Sequence, residues 1–306
     1  MREGSTILDC VGKTPMILLR GVEAEKRAQV WAKLEYLNPG GSLKDRVCLN
    51  MVNSMEKSGL LGEGGRLVEA SGGNTAISLA MIAAAKGYGL TLVMPETVHH
   101  ARVQLLMAYG AEIIFTPSSL GMRGAIDKAH EISIKTDQCR LVNQFENPAN
   151  PEAHRLTTAV EILRDLKRPP DVFVMGVGTG GAITGVGEVL KSKKRDTRIV
   201  AVEPAESAVL CGGNPGSHKF AGIGAGFVPK NLNVSLIDEV VKVGYEQAQE
   251  AVMELAIRYG IYAGLSSGAA YSAALDQAAK CGPDKRVVTI ICDSGERYAP
   301  FFRNLT

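Results

Sequence analysis

Short apolar runs alternate with amphipathic stretches along the whole chain. The runs Arg66–Ala70, Leu90–Met94, Glu112–Phe115, Arg140–Gln144, Asp171–Val177, Arg198–Val202 and Arg286–Cys292 predict strands. Between them, helical spacing of apolar residues predicts helices over Lys44–Lys57, Thr75–Lys86, Val98–Tyr109, Met122–Lys135, Pro151–Leu166, Ala182–Lys194, Glu246–Tyr259 and Ser267–Lys280. This alternation predicts an α/β fold of mostly parallel sheets covered by helices. A length of 306 residues suits two lobes. Asn147-Pro148-Ala149-Asn150-Pro151 reads as their joint, with Asn150 as N-cap and Pro151 in the first helical turn, dividing the chain into 1–146 and 147–306.

Composition narrows the function. The balance of 34 basic against 32 acidic residues, with no basic block, gives no electrostatic basis for nucleic-acid binding. Thr75–Met94 carries one charge, Lys86, over nearly a bilayer's length, but Gly87 and Gly89 break it into a helix and a buried strand, so no membrane span is expected. Met1-Arg2-Glu3-Gly4-Ser5 lacks the apolar core of a signal peptide, and the six cysteines form no CxxC pair. A cytoplasmic protein without a zinc site is the expectation.

In parallel sheets, ligands bind beyond the carboxyl ends of strands. Three such junctions and one C-terminal turn carry candidate chemistry. In Asn38-Pro39-Gly40-Gly41-Ser42-Leu43-Lys44-Asp45-Arg46, Ser42 can cap the following helix, leaving Lys44 in its first turn. The helix dipole disfavours a cation there, and a neutral amine is what Schiff-base chemistry requires. The alternative is a solvated lysine paired with Asp45. In Ser71-Gly72-Gly73-Asn74-Thr75, two glycines and three polar side chains suit a carboxylate, or else form a plain capped turn. Gly176-Val177-Gly178-Thr179-Gly180-Gly181-Ala182 reads as a phosphate cradle at a helix start. It also satisfies GxGxxG, and Glu203 stands 22 residues beyond Gly181, where a dinucleotide fold puts its ribose-binding acid. In Cys292-Asp293-Ser294-Gly295-Glu296-Arg297-Tyr298, Ser294 can reach a heterocyclic nitrogen or simply cap a turn.

Together these segments, with His218-Lys219-Phe220-Ala221-Gly222-Ile223-Gly224-Ala225-Gly226-Phe227, resemble the cysteine synthase/cystathionine β-synthase family of fold-type II (tryptophan-synthase-β-like) pyridoxal phosphate enzymes. The resemblance runs from Gly12-Lys13-Thr14-Pro15 to Tyr298. It implies an active site in the cleft between two lobes, an early segment that crosses to the second lobe, and pyridoxal 5′-phosphate as cofactor. By the same resemblance, Lys44 would hold the cofactor and act as acid and base. Gly178, Thr179, Gly180, Gly181 and Ala182 would line its phosphate, Asn74 would contact its ring hydroxyl and Ser294 its ring nitrogen. Ser71, Gly72, Thr75 and Gln144 would bind the substrate carboxylate, with Gly222 shaping the entrance.

The implied reaction is β-replacement, giving L-cysteine from O-acetyl-L-serine and sulfide through an α-aminoacrylate. Cystathionine or lanthionine formation with a thiol nucleophile is the alternative, and a dinucleotide-binding oxidoreductase a remote one. The implied partners are a second copy, as a homodimer, and serine acetyltransferase. Three segments depart from the family's usual pattern: Ala182 replaces Thr at the end of the phosphate loop, Ser71-Gly72-Gly73-Asn74-Thr75-Ala76 replaces Thr-Ser-Gly-Asn-Thr-Gly, and Val98-His99-His100-Ala101-Arg102 replaces a Met-Ser…Glu-Arg run. Gly72 is expected to open space beside the reacting carbon. His99-His100 lacks a third ligand and is expected to bind no metal.

Overall fold

The computed structural model describes residues 5–21 and 26–302; the opening residues 1–4, read above for a leader, lie outside the described residues. Strands β1 (Met16–Leu19) and β2 (Gln29–Leu34) precede helix α1 (Lys44–Lys57). Then follow β3 (Arg66–Ala70), α2 (Asn74–Lys86), β4 (Gly89–Pro95), α3 (His100–Ala108), β5 (Glu112–Thr116), α4 (Gly121–Lys135) and β6 (Cys139–Leu141). After α5 (Ala149–Ala153), a π-helical turn (His154–Thr158) and α6 (Ala159–Leu166) come β7 (Val172–Gly176), α7 (Gly181–Lys193), β8 (Arg198–Pro204), β9 (Glu239–Val243), α8 (Tyr245–Tyr259), α9 (Leu265–Lys280) and β10 (Arg286–Ile291).

Two sheets organise these elements. The four-stranded sheet has the order β5-β4-β3-β6 and is parallel throughout. Leu67, Leu92 and Met94 face α1 and α2, whereas Val68, Ala70 and Val93 face Ala125 and Ala129 of α4. The six-stranded sheet has the order β1-β2-β10-β7-β8-β9, antiparallel only between β1 and β2. Alternate residues along its strands feed two cores: Val172, Val174, Val200 and Val202 pack with α8 and α9, while Phe173, Met175, Ile199 and Ala201 pack with α6 and α7. The expected two-lobed α/β architecture holds.

The apolar stretch from Thr75 resolves as α2, ended by Gly87 at φ +74°, followed by the buried strand β4. No helix among the described residues is long and apolar enough to cross a membrane. Asn150 is not a helix cap. Helix α5 starts one residue earlier, at Ala149, and the Asn150 amide instead donates to the Gln144 carbonyl (2.8 Å) and to Thr179 Oγ1 (2.9 Å).

A buried ionic cluster joins the early segment to both helical layers. Arg46 of α1 pairs with Glu35 (2.7 Å) and with Glu161 of α6 (2.8 Å), and Lys33 of β2 pairs with Glu161 (2.7 Å). The helix that carries Lys44 is thereby tied down from outside its own lobe.

Candidate active site

The turn that presents Lys44 is fixed to the far sheet. Ser42 bridges Asp293, and the Leu43 N–H donates to the Cys292 carbonyl just past β10 (2.9 Å). Ser42 does not cap α1: Leu43 occupies the cap position, and Ser42 Oγ accepts from the Lys44 N–H in a local turn (3.3 Å). Asp45 is no partner for Lys44 either. Its buried carboxylate accepts from the Gly40 N–H (2.6 Å) and from Ser78 Oγ. Burial lowers the Lys44 pKa, opposed by the nearby Cys48, Cys292 and Glu69. A lysine biased toward its neutral amine is the nucleophile the chemistry calls for.

Opposite stands the glycine loop between β7 and α7. Gly180, at φ +79°, caps α7 in the left-handed conformation that glycine adopts without strain, at a helix start whose N–H groups suit an anion. A side chain at Gly178 would collide with the Gly222 carbonyl, and one at Gly181 with Asn150 Oδ1. Thr179 is oriented by the bond from Asn150, and Ala182 is buried. One cavity is lined by Lys44, Asn74, Gly178, Thr179, Gly180 and Ala182 among others. His154 also faces it from the π turn. Its Nδ1 bonds Thr158 Oγ1 (2.9 Å), its Nε2 is buried without a partner, and burial drives its pKa well down, so the ring is neutral.

Glu203 is not a ribose-binding acid. Its carboxylate accepts the N–H groups of Leu210 (2.7 Å) and Cys211 (3.0 Å), which fold the loop after β8. The glycine motif is thus left without the acid that a dinucleotide fold requires.

The loop after β3 completes the cleft. Gly73, not Asn74 or Thr75, caps α2, so both polar side chains are free for other work. Asn74 donates to Asp293 Oδ2 (2.6 Å) and accepts from Arg297 Nη1 (2.6 Å). Thr75 Oγ1 donates to Gln144 Oε1 (2.7 Å), and Arg102 Nη1 donates to the Gly72 carbonyl (3.1 Å). Ser71, Gly72, Thr75, Gln144 and Gly222 line one recess with Lys44, Gly178 and Thr179.

Two expectations need correction. Ser294 lines neither recess. It sits in a bridge with Ala263, and its hydroxyl accepts from the Glu296 N–H (3.3 Å), a turn role. The serines that line the cavity are Ser42, at the turn before Lys44, and Ser266, in the first turn of α9; with Ser42 bonded to the Lys44 N–H, Ser266 is the one available to a ring nitrogen. Gly264-Leu265-Ser266-Ser267-Gly268 has the same form as the other junctions, a glycine and hydroxyls at a helix start, but reads simply as helix. Gly72 opens no space, because a Cβ there would lie 2.6 Å from Val98 Cγ2. The Asp293–Asn74–Arg297 contacts also went unread, since they join residues more than 200 positions apart. His99 caps α3 through Nδ1, which accepts from the Ala101 N–H (3.3 Å).

The fit to pyridoxal phosphate can be judged from these atoms. A phosphate needs converging N–H groups and room without side chains, which the Gly178–Gly181 cradle supplies. An aromatic cofactor needs an amine, a wall and polar contacts, and Lys44, the neutral His154 with its free Nε2, Asn74 and Ser266 line the same cavity. The residues fit the group.

Comparison with known proteins agrees. The family model described as pyridoxal-phosphate dependent enzyme matches residues 7–293. A cysteine synthase of Staphylococcus aureus is 48% identical over 95% of this chain and 94% of its own. The crystal structure of a cysteine synthase from Entamoeba histolytica superposes with a TM-score of 0.93 at 39% identity, over 98% of this chain and 90% of its own. An O-acetylserine-dependent cystathionine β-synthase from Helicobacter pylori superposes with a TM-score of 0.91 at 36% identity, over 98% of each chain. With the lysine, the phosphate cradle and the carboxylate loop gathered in one cleft, and a family model matching nearly its whole length, the chain belongs to the pyridoxal-phosphate dependent enzymes.

Proposed function

We propose that this enzyme forms L-cysteine from O-acetyl-L-serine and sulfide by β-replacement. The observation that carries this reading is the convergence of Lys44, the Gly178–Ala182 cradle and the Ser71–Thr75 loop with Gln144 on one cleft. The cysteine synthases at 46–48% identity support the substrate pair. When bound, pyridoxal phosphate supplies an electron-accepting ring that acidifies the substrate Cα–H and lets the β-substituent leave.

The chain's own residues do the rest. Gly178, Thr179, Gly180, Gly181 and Ala182 hold the phosphate, Asn74 the ring hydroxyl, and Ser266 takes the ring-nitrogen role first given to Ser294. Ser71, Gly72, Thr75 and Gln144 orient the substrate carboxylate, and Gly222 borders the entrance. Lys44 holds the cofactor, and its Nζ then takes the proton from substrate Cα and later returns it. Burial lowers the pKa of this amine and so favours its uncharged form, the one able to accept a proton. A neutral serine at the ring nitrogen, rather than a charged group, tempers the electron sink and suits a reaction whose charge departs with acetate.

The family resemblance further supports a cytoplasmic homodimer, with serine acetyltransferase as a partner and a lobe boundary near residues 146–147. The test is direct: the cofactor-loaded protein given O-acetylserine and sulfide should release cysteine. Efficient turnover of homocysteine with neglect of sulfide would replace this reading with a cystathionine-forming one.

A further inference from the structure

Glu69 is the penultimate residue of β3, one position short of the strand's end and two before the carboxylate loop opens at Ser71, and it is buried at 3% exposure. Its Oε1 accepts from Gln144 Nε2 (3.4 Å), and its Oε2 has no hydrogen-bond partner among the described residues. The Gln144 amide is thus held between two groups: Nε2 toward Glu69, and Oε1 toward the Thr75 hydroxyl (2.7 Å). The Gln144 backbone cannot follow, since its carbonyl is fixed by the Asn150 (2.8 Å) and Asn231 (2.9 Å) amides. Only the side-chain amide is left to turn over.

An ionised glutamate can only accept, so it draws Nε2 to itself and leaves Oε1 to take up the Thr75 O–H. A protonated Glu69 can donate to Oε1 after a half-turn of the amide. Nε2 then faces Thr75 Oγ1, which accepts and releases its own O–H toward the recess that Thr75 and Gln144 both line. We propose that Glu69 is a positioning residue for the substrate carboxylate: it acts through Gln144, and it takes up a proton as the anion binds.

Burial pushes Glu69 up to about 7, against the backbone N–H groups of Asn143 and Gln144 and the Gln144 amide, so either form is accessible near neutral pH. Among the described residues, the other titratable groups that face it are Lys44 and Cys48 of α1. An arriving carboxylate repels the ionised form, so anion binding and protonation favour one another. The same proton withdraws one of the three charges, with Cys48 and Cys292 ahead of it, that oppose the burial-driven lowering of the Lys44 pKa, a change in the direction of its neutral amine. This inference rests on the substrate site proposed above.

The test is a spectral titration of the cofactor-loaded enzyme with L-methionine, which has a carboxylate and no leaving group at Cβ. Protons lost by the ligand's own amine affect wild type and Glu69→Gln alike, so the ratio of their Kd values isolates Glu69. That ratio, wild type over variant, should rise by about tenfold between about pH 6 and about pH 8.5. A ratio independent of pH overturns the role of Glu69 alone. The absence of any spectral response in the wild-type protein overturns the proposed function beneath it. Should Glu69→Gln fail to fold, the wild-type infrared difference spectrum decides. Adding L-methionine above neutral pH should produce the C=O band of a newly protonated buried carboxyl, and its absence overturns the proposal.

Discussion

Val98 fills the volume that a side chain at residue 72 would need, its Cγ2 standing 2.6 Å from a Cβ built on Gly72. The two positions therefore act as a pair. Gly72→Ser should destabilise the protein by about 1–3 kcal/mol, as overpacking does, and raise the KM for O-acetylserine by shifting the carboxylate loop. Adding Val98→Ala should restore both. Thermal unfolding and KM for the two single variants and the double decide it. Strictly additive effects would show that the residues do not share this space.

Lys44→Ala should abolish cysteine formation and remove the absorption band of lysine-bound cofactor, because among the described residues no other lysine lines either recess. Borohydride reduction of the wild-type protein followed by peptide mapping should place the label on Lys44; a label elsewhere refutes the assignment.

Ser266 and Ser294 can be separated by parallel replacement. Ser266→Ala should lower kcat and shift the cofactor spectrum, whereas Ser294→Ala should leave the spectrum in place and cost at most a turn hydrogen bond, about 0.5–1.5 kcal/mol of stability. The reverse pattern would return the ring-nitrogen role to Ser294.

Ala182 lines the cofactor cavity without a hydroxyl. Ala182→Thr should tighten cofactor binding by at most about tenfold, near 1.4 kcal/mol, measured by equilibrium dialysis of the protein stripped of cofactor and reloaded. Weaker binding would mean that the phosphate is already satisfied there.

The ionic cluster behind α1 predicts an acid limb of stability. Despite burial, hydrogen bonds from Arg46 and Lys33 hold the Glu161 carboxyl down at about 2. A carboxyl depressed on folding stabilises above its unfolded pKa, near 4.3, and loses that contribution as pH falls toward the folded value. About 3 kcal/mol should therefore disappear between about pH 5 and about pH 2. Urea unfolding across that range should show a shallower decline in Glu161→Gln, which should itself be several kcal/mol less stable because two buried cations lose a partner.

The legible parts of the fold were those with strong periodicity. Leu43, Val47, Met51 and Met55 recur every fourth residue, and α1 spans Lys44–Lys57 as that spacing predicts. Strands β1, β2 and β9 went unread for physical reasons. β1 is only four residues long, β2 carries Lys33, whose charge is paired out of sight with Glu161, and β9 is a half-exposed edge. Within the site, the lysine and glycine junctions were readable because their chemistry is local. Ser266 looked like helix, and the space at Gly72 belongs to a valine 26 residues away, which only the folded chain brings near.

The last strand, β10, lies between β2 and β7, so the hairpin made first has no neighbour but itself until residues 286–291 exist. A two-stranded hairpin is marginal alone, and its partner emerges from the ribosome roughly 250 residues later, about 12–50 s at ordinary elongation rates. Through that interval β2 presents an open edge, and β7 adds a second from its own synthesis onward. A chain terminated before Arg286 would keep them open for good, and truncated products of this gene should aggregate by strand pairing rather than persist as a soluble half-enzyme.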